Sequence, residues 1–335
     1  MRRYLKNLIT FLTLVTLLFI TGCGLLPFNK ATATPLILPT PTQAATPLPD
    51  RAVLVKAGET DAALISEAQT LLTELSSGSG LVFETRDEIS ASEITKDMKV
   101  LVFLRHPENL GTLANSAAST QFAVISDLDW NPTGNVTIIR KRTEYIAFIA
   151  GYLSAILDNN FRAGALVSAE DSATLSGFLN GAHYFCGICA ADIAPYSKYP
   201  LTASLPNGSP AANWLAEFDK INVGLVRVLF VAPEAHSSEL FANLAAREII
   251  LLGSQTPPAE ALSRWAVTLQ LDGLSPLREA WGDLVSGVGG KIIYGGVRFT
   301  DINPTFLTRG KLDYVQKMVE KLRAGLINPQ SVPLE

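Results

Sequence analysis

The chain has 335 residues, of which 48% are hydrophobic, so it can bury a large core. Its formal net charge is −4, and the sequence contains no run of more than three consecutive Lys and Arg residues. Nucleic-acid binding and peripheral docking on anionic lipid both depend on clustered basic residues. The composition therefore argues against both kinds of partner.

The first 22 residues are typical of a secretory signal peptide. Three basic residues, Arg2, Arg3 and Lys6, precede an apolar run at 8–20, which ends at the small residues Thr21 and Gly22. The run of 13 residues is short for a membrane span, which needs about 20. The tetrapeptide ITGC at 20–23 resembles a bacterial lipobox, which implies that Cys23 becomes the multiply acylated first residue of an exported protein. An ordinary signal peptide is the alternative.

Residues 23–50 form a predicted linker. Six prolines occur between positions 24 and 50 among Thr and Ala, without an amphipathic period. Such a segment is typical of an extended, semi-rigid spacer. We expect it to separate a folded body, which starts at Arg51, from the outer face of the cell membrane.

The body alternates apolar strand patterns with helical patterns. The predicted strands of the first series lie at 52–56, 81–84, 100–104, 122–126 and 136–139, and its helices at 61–75 and Thr143–Leu157. The second series has strands at 163–168, 225–231, 249–252 and 265–271, and helices at 172–185, 237–247 and 276–285. Continuously apolar strands between helices indicate parallel sheets that are covered on both faces.

Two such series predict two doubly wound α/β lobes joined by a hinge. We assign 51–157 to the first lobe, with about 272–290 returning to it, 158–271 to the second lobe, and 291–335 to a C-terminal strand and helix. Ligands of open α/β sheets bind at the carboxyl ends of the strands. With two lobes facing each other, the expected site is the cleft between them.

The middle of the chain resembles the basic membrane protein family. The resemblance rests on FAVISD at 122–127, NVTIIRKRTEYIAFIAGYLSAIL at 135–157, FRAGALVS at 161–168 and SGFLNGAHY at 176–184. Members of this family are type 1 periplasmic-binding lipoproteins, and the best known are purine nucleoside receptors of ABC importers. The resemblance implies the same fold, a nucleoside-like ligand, an ABC permease as partner, and no cofactor.

The ligand positions of the family are only partly kept. Asp127 matches a family ligand residue. The loop after the first strand, GETDAA at 58–63, lacks the aromatic residue that stacks on the nucleobase in the family. Gln255 stands where the family has an acidic run, and Asp272 stands at or beside an expected lysine. Nucleosides, sugars and autoinducer-type molecules therefore stay open as ligands.

Several further polar residues follow predicted strands and are candidate ligand contacts. In the first lobe, Trp130 is a possible stacking partner for a planar ligand, and Thr60 and Asp61 precede a helix. The second-lobe candidates are Glu170, Asp171 and His236. The alternatives are lobe packing for Trp130, an exposed loop residue for His236, and helix capping for the others.

Cys186 and Cys189 form a CxxC pair at the end of a predicted helix. In an oxidising compartment, two cysteines this close are expected to form a structural disulfide. A redox role needs a thiolate stabilised at a helix N-terminus, and the C-terminal end disfavours it. The three histidines share no ligand spacing, so no metal site is expected.

The sequence contains no GxSxG, HExxH or P-loop motif, and no GxGxxG that opens a helix after a strand. We therefore expect no enzymatic activity. The leading hypothesis is a monomeric, lipid-anchored substrate-binding protein of an ABC importer on the extracytoplasmic face of the membrane. The alternative is a surface lipoprotein that senses the same kind of ligand and signals without transport.

Overall fold

Two six-stranded sheets organise the chain in the computed structural model, which describes residues 48–56, 58 and 60–330. The first sheet has the order β11-β5-β4-β3-β1-β2, with β1 Arg51–Val55, β2 Val82–Arg86, β3 Met98–Phe103, β4 Gln121–Ser126, β5 Val136–Arg140 and β11 Ile292–Tyr294. The second has the order β12-β10-β9-β8-β6-β7, with β6 Ala163–Ser168, β7 Leu201–Leu205, β8 Val228–Val231, β9 Ile250–Gly253, β10 Trp265–Asp272 and β12 Gly296–Thr300.

Helices cover both faces of each sheet. The first lobe consists of the first sheet with α1 Ala62–Gly78, α2 Leu110–Ser116 and α7 Leu274–Val285. The second lobe consists of the second sheet with α3 Thr143–Leu157, α4 Ser172–Phe185, α5 Ala211–Ile221, α6 Ser238–Ala246 and α8 Arg309–Arg323. The part of the chain from Leu48 onward forms one compact unit.

The predicted fold of two doubly wound α/β lobes is confirmed. The strands pair in parallel, except that β12 runs antiparallel to β10. Every residue of β4 and β6 is buried, which explains why both strands are apolar except at Gln121, Ser126 and Ser168. Edge strand β7, the short helix α2 and α5 were not predicted. Because only one residue of β7 is fully buried, its sequence lacks a continuous apolar run.

The chain passes between the lobes three times, and the passages lie side by side. They follow β5, β10 and β11. Gly295, between β11 and β12, donates its backbone N–H to the Arg140 carbonyl at 2.8 Å. A Cβ at Gly295 would lie 2.6 Å from the Asp272 carbonyl oxygen, so only glycine fits without a shift. The three passages therefore form one close-packed hinge.

Helix α3 packs on α4 and on the second sheet, although the sequence pattern groups it with the first lobe. The two helices approach backbone to backbone at three glycines. A Cβ on Gly151 would clash with the Phe178 carbonyl, and a Cβ on Gly181 would clash with that of Phe148. A Cβ on Gly177 would lie 3.0 Å from the Glu144 carbonyl oxygen. The segments that carry the family resemblance thus form the α3–α4 contact.

Candidate functional site

A cavity of about 670 Å³ opens at the carboxyl ends of β1, β2 and β3, within the first lobe. Its residues are Val55, Lys56, Gly58, Ile65, Asp87, Glu88, Ile89, Phe103, Pro107, Asn109 and Leu113. Apolar side chains supply its walls, and four polar side chains stand among them. A volume of this size suits a small-molecule ligand.

Lys56, Asp87 and Glu88 are the charged residues of this cavity, and Lys56 pairs with Asp87. Lys56 directly follows β1 and Asp87 directly follows β2, and their Nζ and Oδ1 atoms are 2.8 Å apart. The side chain of Asp87 is 88% exposed and that of Lys56 is 33% exposed, so the pair is open to solvent. Because exposed pairs are weak, a solute with hydroxyl groups can replace this contact at little cost.

Asn109 adds a neutral hydrogen-bonding group. It precedes α2, but its side chain makes no capping hydrogen bond with the helix. Sequence reasoning missed Lys56, Asp87 and Asn109. The rule that singled out Asp127, a polar residue just beyond a strand, finds Lys56 and Asp87 only with the observed strand ends, because the predicted strands ended at 56 and 84. Asn109 lies in the loop between β3 and α2, and α2 was not predicted.

Asp127 lies at the carboxyl end of β4 and is exposed, as predicted from its position after a buried strand. The turn that follows it is closed by Ser126, whose Oγ accepts from the Leu128 N–H at 3.0 Å. The Asp127 carboxylate is therefore not needed for this turn. It lies outside the residues that line the 670 Å³ cavity.

Trp130 packs beside His106, with ring centroids 5.9 Å apart and planes 59° apart. Arg140 fixes this loop, because its Nη2 donates to the Trp130 carbonyl at 3.0 Å and its Nη1 pairs with Asp129 at 2.8 Å. Burial lowers the pKa of His106 from its ordinary value of 6.5, and the charge of Asp127 opposes this shift. The loops after β3 and β4 thus together present an aromatic ring, an imidazole and a carboxylate.

Two other first-lobe candidates act as helix caps. Asp61 accepts from the Ala63 N–H at 3.0 Å at the start of α1. Asp272 accepts from the backbone of Leu274 and of Ser275, both at 3.0 Å, at the start of α7. Thr60 lies half-buried just before α1. A capping carboxylate still has a free oxygen, so capping and ligand contact are compatible.

The second-lobe candidates meet at the carboxyl edge of the second sheet. Asp171 caps α4 through the Thr174 N–H at 2.9 Å, and Glu170 accepts from Nδ2 of Asn207 at 2.7 Å. His236 lies with Nε2 3.3 Å from the Thr256 carbonyl. Gln255 is exposed two residues after β9. Each of these residues therefore lies beyond the carboxyl end of a strand of the second sheet.

The structure joins Cys186 and Cys189 in a disulfide, with Cα atoms 5.4 Å apart. Cys186 is the C-cap of α4, and its N–H donates to the Ala182 carbonyl at 3.3 Å. Cys23 and the predicted linker up to residue 47 lie outside the described residues. Within residues 48–330 as described, no helix is long and apolar enough to cross a membrane, and no cluster of His, Cys, Asp and Glu is suited to a metal ion.

No protein-family model matches the sequence, and no curated protein matches it. Solved structures do resemble it. An ABC transporter system solute-binding protein from Conexibacter woesei aligns over 84% of this chain and 98% of its own, with a TM-score of 0.58 and 14% identity. AraP, an arabinose-binding protein from Geobacillus stearothermophilus, aligns over 80% and 99%, with a TM-score of 0.51 and 14% identity.

A transcriptional activator of the comK gene from Bacillus halodurans also aligns, over 85% of this chain and 100% of its own, with a TM-score of 0.51 and 13% identity. At such low identity these likenesses establish architecture alone. Two solute-binding proteins and a transcriptional activator share it. The chain has the fold of type 1 periplasmic-binding proteins, two α/β lobes connected by three passages of the chain.

Proposed function

We propose that this protein is the lipid-anchored solute-binding component of an ABC importer, and that it captures a small polar solute between its lobes. The observation that carries the proposal is the 670 Å³ cavity at the carboxyl ends of β1, β2 and β3, with apolar walls and a solvent-open Lys56–Asp87 pair. This is the edge at which open α/β sheets bind ligands.

The chemistry of the cavity favours a neutral, hydroxyl-bearing solute such as a nucleoside or a sugar. Lys56 donates hydrogen bonds, Asp87 accepts them, and the Asn109 amide does both. This set suits hydroxyl groups, because each hydroxyl both donates and accepts hydrogen bonds. Phe103 and Ile65 provide apolar contact for a ring. A nucleoside is the ligand implied by the resemblance in the middle of the chain.

Capture requires that the solute contact both lobes. A ligand shifts a two-state equilibrium only through its differential affinity for the two states. When the lobes close, we expect the solute to be contacted by residues from both. The first lobe contributes Asp127 and Trp130, and the second contributes Glu170, His236 and Gln255. The hinge at Gly295 permits this motion, and the closed form would dock on the permease.

We further propose that acylated Cys23 holds the protein at the extracytoplasmic face and that residues 23–50 act as the tether. The lipobox-like ITGC sequence supports this proposal. Mass spectrometry of the protein expressed in a bacterial host tests it. We expect a mature chain that begins at a diacylated or triacylated Cys23, and an intact precursor with an unmodified cysteine would refute it.

The binding role is tested by a thermal-shift screen of nucleosides, pentoses and hexoses, because a solute that binds the native state raises the melting temperature. A solute that raises the melting temperature is then titrated into the protein by calorimetry. The Asp127→Ala substitution is expected to weaken the affinity for this solute by about 30- to 150-fold, the cost of a lost charged hydrogen bond. Asp313→Ala, an exposed carboxylate on α8, is the control and should leave the affinity unchanged.

The second candidate function is ligand sensing without transport. The departures at the family's ligand positions, and a fold that the comK activator shares, favour it. Reconstitution of the protein in proteoliposomes with an ABC permease and ATPase, taken from the genes beside its own where these encode such a pair, separates the two functions. Solute-dependent ATP hydrolysis by the transporter supports import, whereas a binder that leaves ATP hydrolysis unchanged supports sensing.

A further inference from the structure

A second cavity, of about 490 Å³, lies at the amino-terminal edge of the second sheet. Arginine stands directly before three of the strands there: Arg162 before β6, Arg227 before β8 and Arg264 before β10. Because parallel strands begin at the same edge of a sheet, the topology brings these three arginines to one place. All three line the cavity, and Arg247 lines it as well.

This cavity is well separated from the proposed solute site. It lies at the edge where the strands of the second sheet begin. Glu170, His236 and Gln255 lie at the opposite edge, because they follow β6, β8 and β9. A strand of six residues such as β6 spans about 20 Å. The cavity therefore belongs to neither the solute site nor the hinge.

The cavity has an excess of positive charge in a chain whose net charge is −4. Arg264 pairs with Glu248 at 2.7 Å, and Arg247 pairs with Asp219. Within the described residues, neither Arg162 nor Arg227 has an ion-pair partner. Glu248 is the single carboxylate among the described residues that line the cavity. Two guanidinium charges are thus left uncompensated.

Arg162 is the more unusual of the two, because its side chain is buried. The residue is 6% exposed, and its Nη2 donates to the backbone carbonyls of Ile193 at 2.7 Å and Ala194 at 3.1 Å. Its Nε is buried and has no acceptor within the part of the chain that the structure describes. Since a buried charge without a counter-charge is costly, an anion in the adjacent cavity would stabilise it.

The backbone around the cavity is also held in a costly conformation. Leu225 and Glu248 both line it, and both are non-glycine residues in the left-handed region, with φ of 56° and 62°. Residues of this kind rarely adopt positive φ, and such conformations cluster at ligand sites. They hold the turns that lead into Arg227 and into β9 against the cavity.

We propose that this cavity binds a phosphate-bearing small molecule. Guanidinium groups present planar pairs of donors that match phosphate oxygens and stay charged at any physiological pH. The volume falls within the range of small-molecule sites and exceeds what a bare phosphate needs. Phe306, Val226 and Ile250 supply apolar contact for the body of such a molecule. The proposal does not depend on the solute that we propose is captured between the lobes.

The test is isothermal titration calorimetry of the purified full chain with inorganic phosphate and with ribose 5-phosphate, at constant ionic strength. We expect saturable 1:1 binding, with ribose 5-phosphate the tighter of the two. Arg227→Gln should weaken the affinity by about tenfold or more, because it removes a charge-assisted contact. Arg227 is exposed and has no ion pair among the described residues, so this variant should fold like the parent.

The matched control is Arg278→Gln, which removes an exposed arginine on α7 that pairs with Glu74 outside the cavity. Its phosphate affinity should equal that of the parent. The proposal is overturned if neither compound binds saturably, or if the two variants lose affinity equally. It is also overturned if sedimentation shows binding only to phosphatidylglycerol vesicles, since the edge would then be a lipid-docking surface.

Discussion

Single side chains decide the chemistry at the ends of the strands. Some of these residues were identified as candidate contacts from the sequence, and others were not. Asp127 was found because it follows a buried strand and matches a family ligand position. Asp61 and Asp171 were found because they open predicted helices, and Asp272 because it stands at or beside a family ligand position. The structure uses each of these three as a helix cap. A sequence pattern does not separate the two roles, since both place an oxygen at the end of a strand.

His106 offers a test of the aromatic loop by pH. Burial lowers its folded-state pKa below the 6.5 of the unfolded chain, so the unfolded state binds the proton more tightly. The folding free energy that this difference supplies is fully present above about pH 6.5, and it is lost as pH falls through the folded-state pKa. We therefore expect the free energy of unfolding, measured by urea titration, to fall less between pH 7.5 and pH 5 in His106→Gln than in the parent.

The control for this experiment is Asn243→Ala, which removes an exposed side chain without a titratable group on α6. Its free energy of unfolding should follow the parent's pH dependence. A His106→Gln variant whose stability falls with acid as steeply as that of the parent would show that His106 is not held neutral by burial.

Helices and strands are the scale at which the sequence was most informative. The ends of α3 and α4 were predicted correctly, because both helices combine a long apolar period with a clear stop. The packing of α3 on the second lobe was not foreseen, since periodicity gives the buried face of a helix but not the sheet that it covers. The glycine pattern in α4, GxxxG at 177–181, was the available signal.

The α3–α4 contact gives a prediction about stability. Gly181→Ala places a methyl group against the Phe148 carbonyl, so the two helices must move apart. We expect the free energy of unfolding to fall by about 1–3 kcal/mol, as for other overpacked cores. Gly282→Ala is the matched control, because Gly282 also lies in a helix but a methyl group added there would have no neighbouring atom within 4 Å.

In the control the free energy of unfolding should rise by up to about 1 kcal/mol, the helix-propensity gain from Gly to Ala. Denaturant titration of both variants makes the comparison. Equal stabilities for Gly181→Ala and the parent would mean that the helices have room for a side chain at their crossing.

At the scale of the whole molecule, the hinge connects the fold to the proposed function. Its three passages touch at Gly295, whose Cβ would lie 2.6 Å from the Asp272 carbonyl and 3.3 Å from that of Arg140. The sequence predicted two lobes with a return near residue 272. It did not reveal the third passage, because β11 has three residues and no distinctive pattern.

Gly295→Ala should therefore force apart the three chain passages that connect the lobes. We expect a loss of about 1–3 kcal/mol in unfolding free energy and a weaker affinity for the bound solute, because the passages can no longer pack closely. Thermal unfolding and calorimetry measure the two effects. Gly111→Ala in α2, with no atom within 4 Å of the added methyl group, is the control and should lower neither the unfolding free energy nor the affinity. A Gly295→Ala variant that behaves like this control would remove the hinge from its proposed role.

Small-angle X-ray scattering of the protein with and without its solute tests most directly whether the two lobes close on a ligand. The solute is the compound that raises the melting temperature in the thermal-shift screen. At saturation we predict a smaller radius of gyration for the parent, and no decrease for Asp127→Ala at the same solute concentration. A saturated parent whose radius of gyration equals that of the free protein would contradict capture between the lobes.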